Sequence, residues 1–236
     1  MKNPWIEITE NYNSYKDEKN FILKEDRNII NEFNCKNKEV FQIKEYILPF
    51  PFLGNVENSE ILILLNNPGF DEEELKKGYY DKFHSEIKDS YQGNQKMYCF
   101  EDEYIQYSDY WNKKLGNLIE KFGKRTIAEK ISIVNFFPYS SSRYKDFSKR
   151  DKSNFLKNGY LHSQIYNFEI VKNAMDRKAL IIIVRGRKNW FKAVDGLESY
   201  INTFKTNSYL NSSITKNNCR DFFDKILKRL NKKNAD

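Results

Sequence analysis

The sequence has little cysteine and little histidine. Cys35, Cys99 and Cys219 are scattered along 236 residues without a CxxC pair, and His84 and His162 are the two histidines. An odd and dispersed set of cysteines is not typical of a disulfide framework, a zinc ribbon or a four-cysteine iron–sulfur cluster. We therefore expect reduced thiols, no metal site and no cofactor.

Long hydrophobic segments are also missing. No apolar run approaches the roughly 20 residues of a membrane-spanning helix, and residues 1–19 lack the apolar core of a signal peptide. No internal repeat or proline- and glycine-rich linker interrupts the chain, in which 39% of residues are apolar and 31% charged. These features predict a cytoplasmic globular protein with a single domain over residues 1–236 and no membrane partner. The sequence leaves the oligomeric state open, with a monomer as the simplest expectation.

Charge is distributed unevenly along the chain. Residues 1–118 hold 15 basic and 22 acidic residues, whereas residues 119–236 hold 25 and 11, within a total net charge of +7. A strongly basic half favours a polyanionic partner, and nucleic acid is the first candidate. Codon usage rich in A and T, which favours lysine, asparagine and isoleucine, is the alternative explanation.

Short apolar runs alternate with segments of helical periodicity. The apolar runs, rich in β-branched residues, predict strands at residues 60–65, 131–135, 179–184 and 203–208, and three of them are apolar on both faces. Helical spacing of apolar residues follows at 109–123, 164–176 and 218–230, and Asp71 resembles the start of a helix. This alternation predicts an α/β fold, a three-layer α/β/α sandwich with a four-stranded, mainly parallel central sheet. Residues 1–45 would form an N-terminal helical extension of a core spanning 46–232.

Four turns follow the four predicted strands. We call them the first turn (residues 66–69), the second turn (135–143), the third turn (185–187) and the fourth turn (209–213). In parallel sheets, ligands bind beyond the carboxyl ends of the strands. These turns contain amides, hydroxyls and arginines but no carboxylate or histidine. Such side chains suit a heterocyclic base attached to phosphate better than a metal ion or an acid–base pair.

The order of these turns resembles a known family. The run Leu65-Asn66-Asn67-Pro68-Gly69 is similar to a Gly-x-Asn-Pro-Gly motif, Asn135 ends a strand ahead of Pro138, Gly186 follows the third strand, and Asn211-Ser212-Ser213 partly matches an Asn-Pro-Ser or His-Pro-Ser loop. This pattern resembles the uracil-DNA glycosylase superfamily, in its mismatch-specific and thymine-DNA glycosylase branch, over roughly residues 45–232. The resemblance implies a uracil-DNA glycosylase-like fold and a DNA base-excision activity without metal or organic cofactor.

The resemblance also implies roles for individual residues. Asn67 would hold the water that attacks the sugar carbon, because the departing base carries the negative charge and a strong base is not needed. Asn135 would hydrogen-bond the edge of a flipped base, since a carboxamide both donates and accepts. Tyr79 or Tyr80 would stack on the base, beside Pro68, Gly69 and Phe70. The residues implied in DNA binding are Asn211, Ser212, Ser213, Arg143, Arg185, Arg187 and Lys216.

The chain departs from the family pattern at several positions. Leu65 replaces the first glycine of the motif, Ser212 replaces the proline of the last loop, and that loop has neither a histidine nor a clear wedge residue. These departures favour an alternative, a catalytically inactive glycosylase-like module that binds nucleic acid, a nucleotide or a protein partner. A role in defence against phage DNA is a further alternative, by family analogy alone. The base, and the choice between DNA, RNA and free nucleotide, stay open.

Overall fold

The predicted apolar runs form a β-sheet. The computed structural model describes residues 1–76, 84–100, 109–147, 159–208 and 211–231. Within them the strands are Phe52–Leu53 (β1), Ile61–Leu65 (β2), Ile131–Asn135 (β3), Leu180–Ile183 (β4) and Thr203–Lys205 (β5). The sheet order is β1-β3-β2-β4-β5. The predicted α/β class is confirmed, but the sheet has five strands instead of four, because the two-residue β1 is too short to show a pattern.

Parallel pairing joins the strands at the centre of the sheet to those at one edge. Ile61 of β2 pairs with Leu180 of β4, and Ile181 of β4 pairs with Thr203 of β5. Every residue of β2, β3 and β4 is buried, whereas β5 is half-buried to exposed. The carboxyl ends of β2, β4 and β5 therefore lie at the same edge of the sheet.

Along the chain, helices lie before, between and after these strands. Asp109–Lys130 bends where Gly123 adopts a φ of 78°, and the Asp71 carboxylate accepts a hydrogen bond from the Glu73 N–H at 2.8 Å, as its helix-start position predicts. No helix of the described ranges combines the length and the apolar character that crossing a bilayer requires. The helix bounds are Ile6–Glu10 (α1), Tyr12–Asp17 (α2), Lys24–Lys36 (α3), Glu72–Lys76 (α4), His84–Ser90 (α5), Asp109–Lys130 (α6), His162–Asp176 (α7), Arg187–Ala193 (α8) and Phe223–Asn231 (α9).

The chain divides into two compact units. The first unit comprises Met1–Phe52, Asn66–Gln92 and Asn135–Glu169, and the second comprises Leu53–Leu65, Gly93–Val134 and Ile170–Asp236. The helices of the predicted N-terminal extension thus belong to the same unit as the first and second turns. The single domain, with an N-terminal extension over residues 1–45 and a core over residues 46–232, stays a prediction.

An extended apolar core belongs to the second unit. Ile63 of β2, Ile133 of β3 and Ile182 of β4 pack there with Leu118 of α6 and Ile226 of α9, all at most 2% exposed. Burying an aliphatic side chain of this size contributes about 1.5–3 kcal/mol. A smaller cluster in the first unit joins Ile47, Phe50 and Phe70.

Candidate functional site in the first unit

Asn67 has a fixed side-chain position. It lies in the first turn and is half-buried. Its Nδ2 donates to the carbonyl oxygen of Pro68 at 2.9 Å and to Oγ of Ser141 at 3.1 Å. Both amide hydrogens are thereby used, and Oδ1 accepts no hydrogen bond from the described residues.

The first and second turns meet along their backbones. The N–H of Phe137 donates to the carbonyl oxygen of Asn66 at 2.8 Å, and Gly69 forms a parallel bridge with Ser141. A Cβ built on Gly69 would meet nothing within 4 Å, so the space over this exposed residue is open. The structure therefore brings the predicted motif of the first turn together with the second turn.

The Ser141 hydroxyl settles which end of the Asn67 amide faces it. Ser141 Oγ donates its one hydrogen to the carbonyl oxygen of Arg143 at 3.1 Å. The hydroxyl must therefore accept from its other neighbour, and the Pro68 carbonyl is likewise an acceptor. Only the NH₂ group of Asn67 satisfies both, which leaves the amide oxygen facing away from them.

Asn135 has its amide donor engaged within the protein. Its side chain is 6% exposed, and Nδ2 donates to the carbonyl oxygen of Phe50 at 2.7 Å. Oδ1 is buried without a hydrogen-bond partner among the described residues. The sequence assigned both donor and acceptor of this amide to a base edge, whereas here only the acceptor is unengaged.

The N-terminal segment holds the second turn in place. The N–H of Lys44 donates to the Ser140 carbonyl at 3.0 Å, that of Phe50 to Pro138 at 2.9 Å, and that of Arg143 to Val40 at 2.8 Å. The Arg143 residue is exposed. These backbone bonds have no signature in the sequence, because any non-proline residue can make them.

An aromatic group lies directly after the motif. Phe70 is 9% exposed, its ring meets that of Tyr46 edge-on at 6.3 Å, and the Lys44 ammonium is 5.3 Å from its centroid. Tyr46 is 43% exposed. The sequence predicted Phe70 beside the base, and the residues predicted to stack on it, Tyr79 and Tyr80, lie outside the described residues.

In the second unit, the end of β2 is anchored to α8. The indole N–H of Trp190 donates to the Leu65 carbonyl at 2.9 Å, and Trp190 is fully buried. Leu65, which stands at the first glycine of the motif, belongs to the apolar core. In the third turn, Gly186 has a φ of 73° ahead of α8, and Arg185 and Arg187 are exposed.

The fourth turn, described from residue 211 onward, is held by Asn218. The Asn218 Nδ2 donates to the carbonyls of Asn211 at 2.8 Å and Ser213 at 2.9 Å. These two hydrogen bonds hold the turn, in which Ser212 stands where the resembled pattern has a proline. The side chain of Ser212 is 5% exposed, with its hydroxyl 3.4 Å from that of Tyr110, and Lys216 is exposed.

Outside these turns, the described residues include a cavity and three free cysteines. A cavity of about 330 Å³ in the second unit is lined by Asn55, Asn58, Asn94, Lys96 and Glu129, none of which was predicted as a site residue. The described residues contain no group of three or more His, Cys, Asp or Glu side chains that could hold a metal ion. All three cysteines are free, and burial raises the pKa of Cys219 to about 12, which keeps it protonated.

Comparison with known proteins identifies no relative of this chain. No protein-family model, no curated protein and no solved structure matches this chain. That all four turns contribute to one site for a base attached to phosphate stays a prediction. The arrangement of Asn67, Ser141 and Asn135 within the first unit is therefore the basis for a functional proposal.

Proposed function

We propose that this chain is a DNA glycosylase that hydrolyses the N-glycosidic bond of an aberrant or modified base, on a uracil-DNA glycosylase-like three-layer fold. The observation that carries the proposal is the orientation of the Asn67 amide. Its NH₂ group is bound by Pro68 and Ser141, so its oxygen is left to accept a hydrogen from a water molecule. A held water beside a neutral turn is the arrangement that hydrolysis through a departing anion requires.

The reaction needs no ionised base in the protein. Oxygen of the held water bonds to the sugar carbon as the carbon–nitrogen bond breaks, and the base leaves with the bonding electron pair. The water then loses a proton and the base anion gains one, so atoms and charge balance. Asn67 contributes position, because an amide oxygen orients the water without removing its proton.

The surrounding residues would bind the nucleotide. The open space over Gly69 admits a ligand close to the backbone. Asn135 Oδ1 is a buried acceptor, so the residues that cover it must move before it can bind an N–H group on a base edge. We propose that exposed cations contact DNA phosphates, with Arg143 in the first unit and Arg185, Arg187 and Lys216 in the second.

The first test is strand cleavage. Oligonucleotides with uracil, mismatched thymine or modified bases are incubated with the protein and treated with alkali, which breaks the backbone at abasic sites. We expect cleavage at one class of base and a loss on the order of 10²–10³-fold in Asn67→Ala, the scale seen when one oriented polar group is removed from an active site. Asn58→Ala, at an exposed asparagine of the second unit, serves as the matched control.

Two results would contradict this proposal. Intact strands across a broad panel of uracil, mismatched thymine and modified bases would contradict the proposed enzymatic activity. Undiminished cleavage by Asn67→Ala would contradict the proposed role of Asn67. The thermal unfolding temperature of Asn67→Ala is measured as a control. A value equal to that of wild type would show that a loss of activity does not come from a loss of fold.

A binding module without turnover is the second candidate function. The engaged donor and the buried acceptor of Asn135 favour it, because neither end of this amide is exposed to read a base. Salt-sensitive binding to DNA without any abasic product is the result expected for such a module.

A further inference from the structure

We propose that Ser141 is a positioning residue, which fixes the Asn67 amide with its oxygen directed to the reacting water. This inference rests on the proposed function, since it assigns Asn67 the role given above. Ser141 has no role in the sequence pattern and lies 74 residues from Asn67 along the chain.

The direction of hydrogen bonding carries the assignment. A chain of two bonds runs from Asn67 Nδ2 to Ser141 Oγ at 3.1 Å and from Ser141 Oγ to the Arg143 carbonyl at 3.1 Å. If the amide were rotated by half a turn, Oδ1 would face the Pro68 carbonyl oxygen at the 2.9 Å now spanned by a hydrogen bond. The two acceptors would repel each other, and Ser141 would have to abandon Arg143 to donate to Oδ1.

Ser141 is placed to act through Asn67 and not on the substrate itself. It is 2% exposed, so it offers no surface to DNA, and its backbone is held by the bridge to Gly69. Without the hydroxyl, the Asn67 amide keeps a single anchor at Pro68 and gains freedom to rotate. A misplaced amide holds the water away from the sugar carbon, which lowers the rate of the chemical step more than the affinity for DNA.

The kinetic test separates rate from affinity. In single-turnover cleavage we expect Ser141→Ala to lower the rate constant about tenfold, the effect of losing one hydrogen bond that holds Asn67 in position. The DNA dissociation constant should stay within about twofold, the thermal unfolding temperature should remain close to wild type, and Ser141→Thr, which keeps a hydroxyl, should recover the rate. Ser142→Ala, at the exposed neighbouring serine, should behave as wild type. Ser141→Ala with a wild-type rate would overturn the assignment.

A second measurement does not depend on activity. The Asn67 side-chain amide signals in a ¹H–¹⁵N spectrum are identified by their loss in Asn67→Ala, and their exchange with solvent is measured. We expect protected signals in wild type, Ser142→Ala and Ser141→Thr, and faster exchange in Ser141→Ala. Equal protection with and without the hydroxyl would refute the positioning role. If Ser141→Ala does not fold, Ser141→Cys keeps the volume with a weaker acceptor and should show intermediate exchange.

The two measurements distinguish the possible failures. Absence of any cleavage by wild type contradicts the proposed function, while the exchange data still decide whether Ser141 holds Asn67. Cleavage that requires Asn67 but is indifferent to Ser141 contradicts this inference alone.

Discussion

At the residue scale, Gly54 has little tolerance for a side chain. Its φ is +92°, and a Cβ there would lie 2.9 Å from the Ile131 carbonyl oxygen, 2.9 Å from Ser132 Oγ and 3.0 Å from Met97 Cγ. A positive φ costs an L-residue roughly 1–2 kcal/mol, and overpacking costs about 1–3 kcal/mol more. Glycine is therefore required here for both conformation and space.

We predict that Gly54→Ala lowers the free energy of unfolding by about 2–5 kcal/mol. Gly196→Ala is the matched control, because Gly196 has a positive φ of +77° and a Cβ there would make only an ordinary contact, 3.6 Å from Met175 Cε. Urea unfolding of both variants measures the difference, which isolates the crowding around residue 54. Equal losses in the two variants would contradict the close approach of Ile131 and Ser132.

Local sequence identifies residues better than it identifies their partners. The Asn-Pro-Gly motif pointed to Asn67, since a turn after a buried strand is a local feature. It could not supply Ser141, because serine has no pattern of its own and the contact depends on how two distant turns meet. The donor of Asn135 was assigned to a ligand for the same reason, as nothing local indicates the Phe50 carbonyl.

At the scale of elements, α7 begins with a cap from another helix. The Asp26 carboxylate of α3 accepts from the His162 N–H at 3.1 Å and from the Tyr139 hydroxyl at 2.7 Å, and it is fully buried. Leu161, which precedes α7, has no side-chain acceptor, so Asp26 supplies one. The helix start was predicted from apolar spacing, whereas its cap comes from residues far away in the chain.

The stability contributed by Asp26 should depend on pH. Burial raises the pKa of its carboxyl, although hydrogen bonds from Ser163 and Tyr139 and the nearby His162 oppose this. The unfolded chain releases the proton near its ordinary pKa of about 3.9. The folded state therefore holds the proton to higher pH, and stability present below about pH 4 is lost as pH rises through the folded pKa.

Asp26→Asn, which cannot ionise, tests this dependence. We predict that wild type loses stability relative to Asp26→Asn as pH rises from about 4 through the folded pKa of Asp26, and that the difference is constant above it. Urea unfolding across this range measures the difference, with Asp17→Asn, at an exposed residue, as the control. A wild type that gains stability relative to Asp26→Asn with rising pH would show that ionised Asp26 is the favoured form.

At the scale of the whole molecule, the uneven charge bears on the proposed partner. The net charge of +7 comes from the half after residue 118, which holds 25 basic and 11 acidic residues. Each cation that neutralises a DNA phosphate on binding releases counterions, so affinity falls with salt. The residues proposed for this role in the second unit, Arg185, Arg187 and Lys216, are exposed.

We predict that DNA affinity falls linearly on a log–log plot against salt and that Lys216→Ala reduces the slope by about one. Lys16→Ala removes an exposed lysine of the acidic half and should leave the slope unchanged. Fluorescence anisotropy with a labelled duplex at several salt concentrations measures both. A slope that Lys216→Ala leaves at the wild-type value would exclude a phosphate contact by Lys216.

Local patterning in the sequence located four of the strands and the helices α4, α6, α7 and α9. The strands predicted at 60–65 and 131–135 are observed at Ile61–Leu65 and Ile131–Asn135. They could be predicted because a strand buried on both faces is apolar along most of its length. Tertiary structure alone decided the two-residue β1, the Asp26 cap, the Trp190 bond to Leu65 and the Ser141 bond to Asn67. The physical reason is that apolar periodicity reflects the burial of one segment, which local sequence shows. A hydrogen bond between distant residues depends on how the folded chain brings them together, which local sequence does not show.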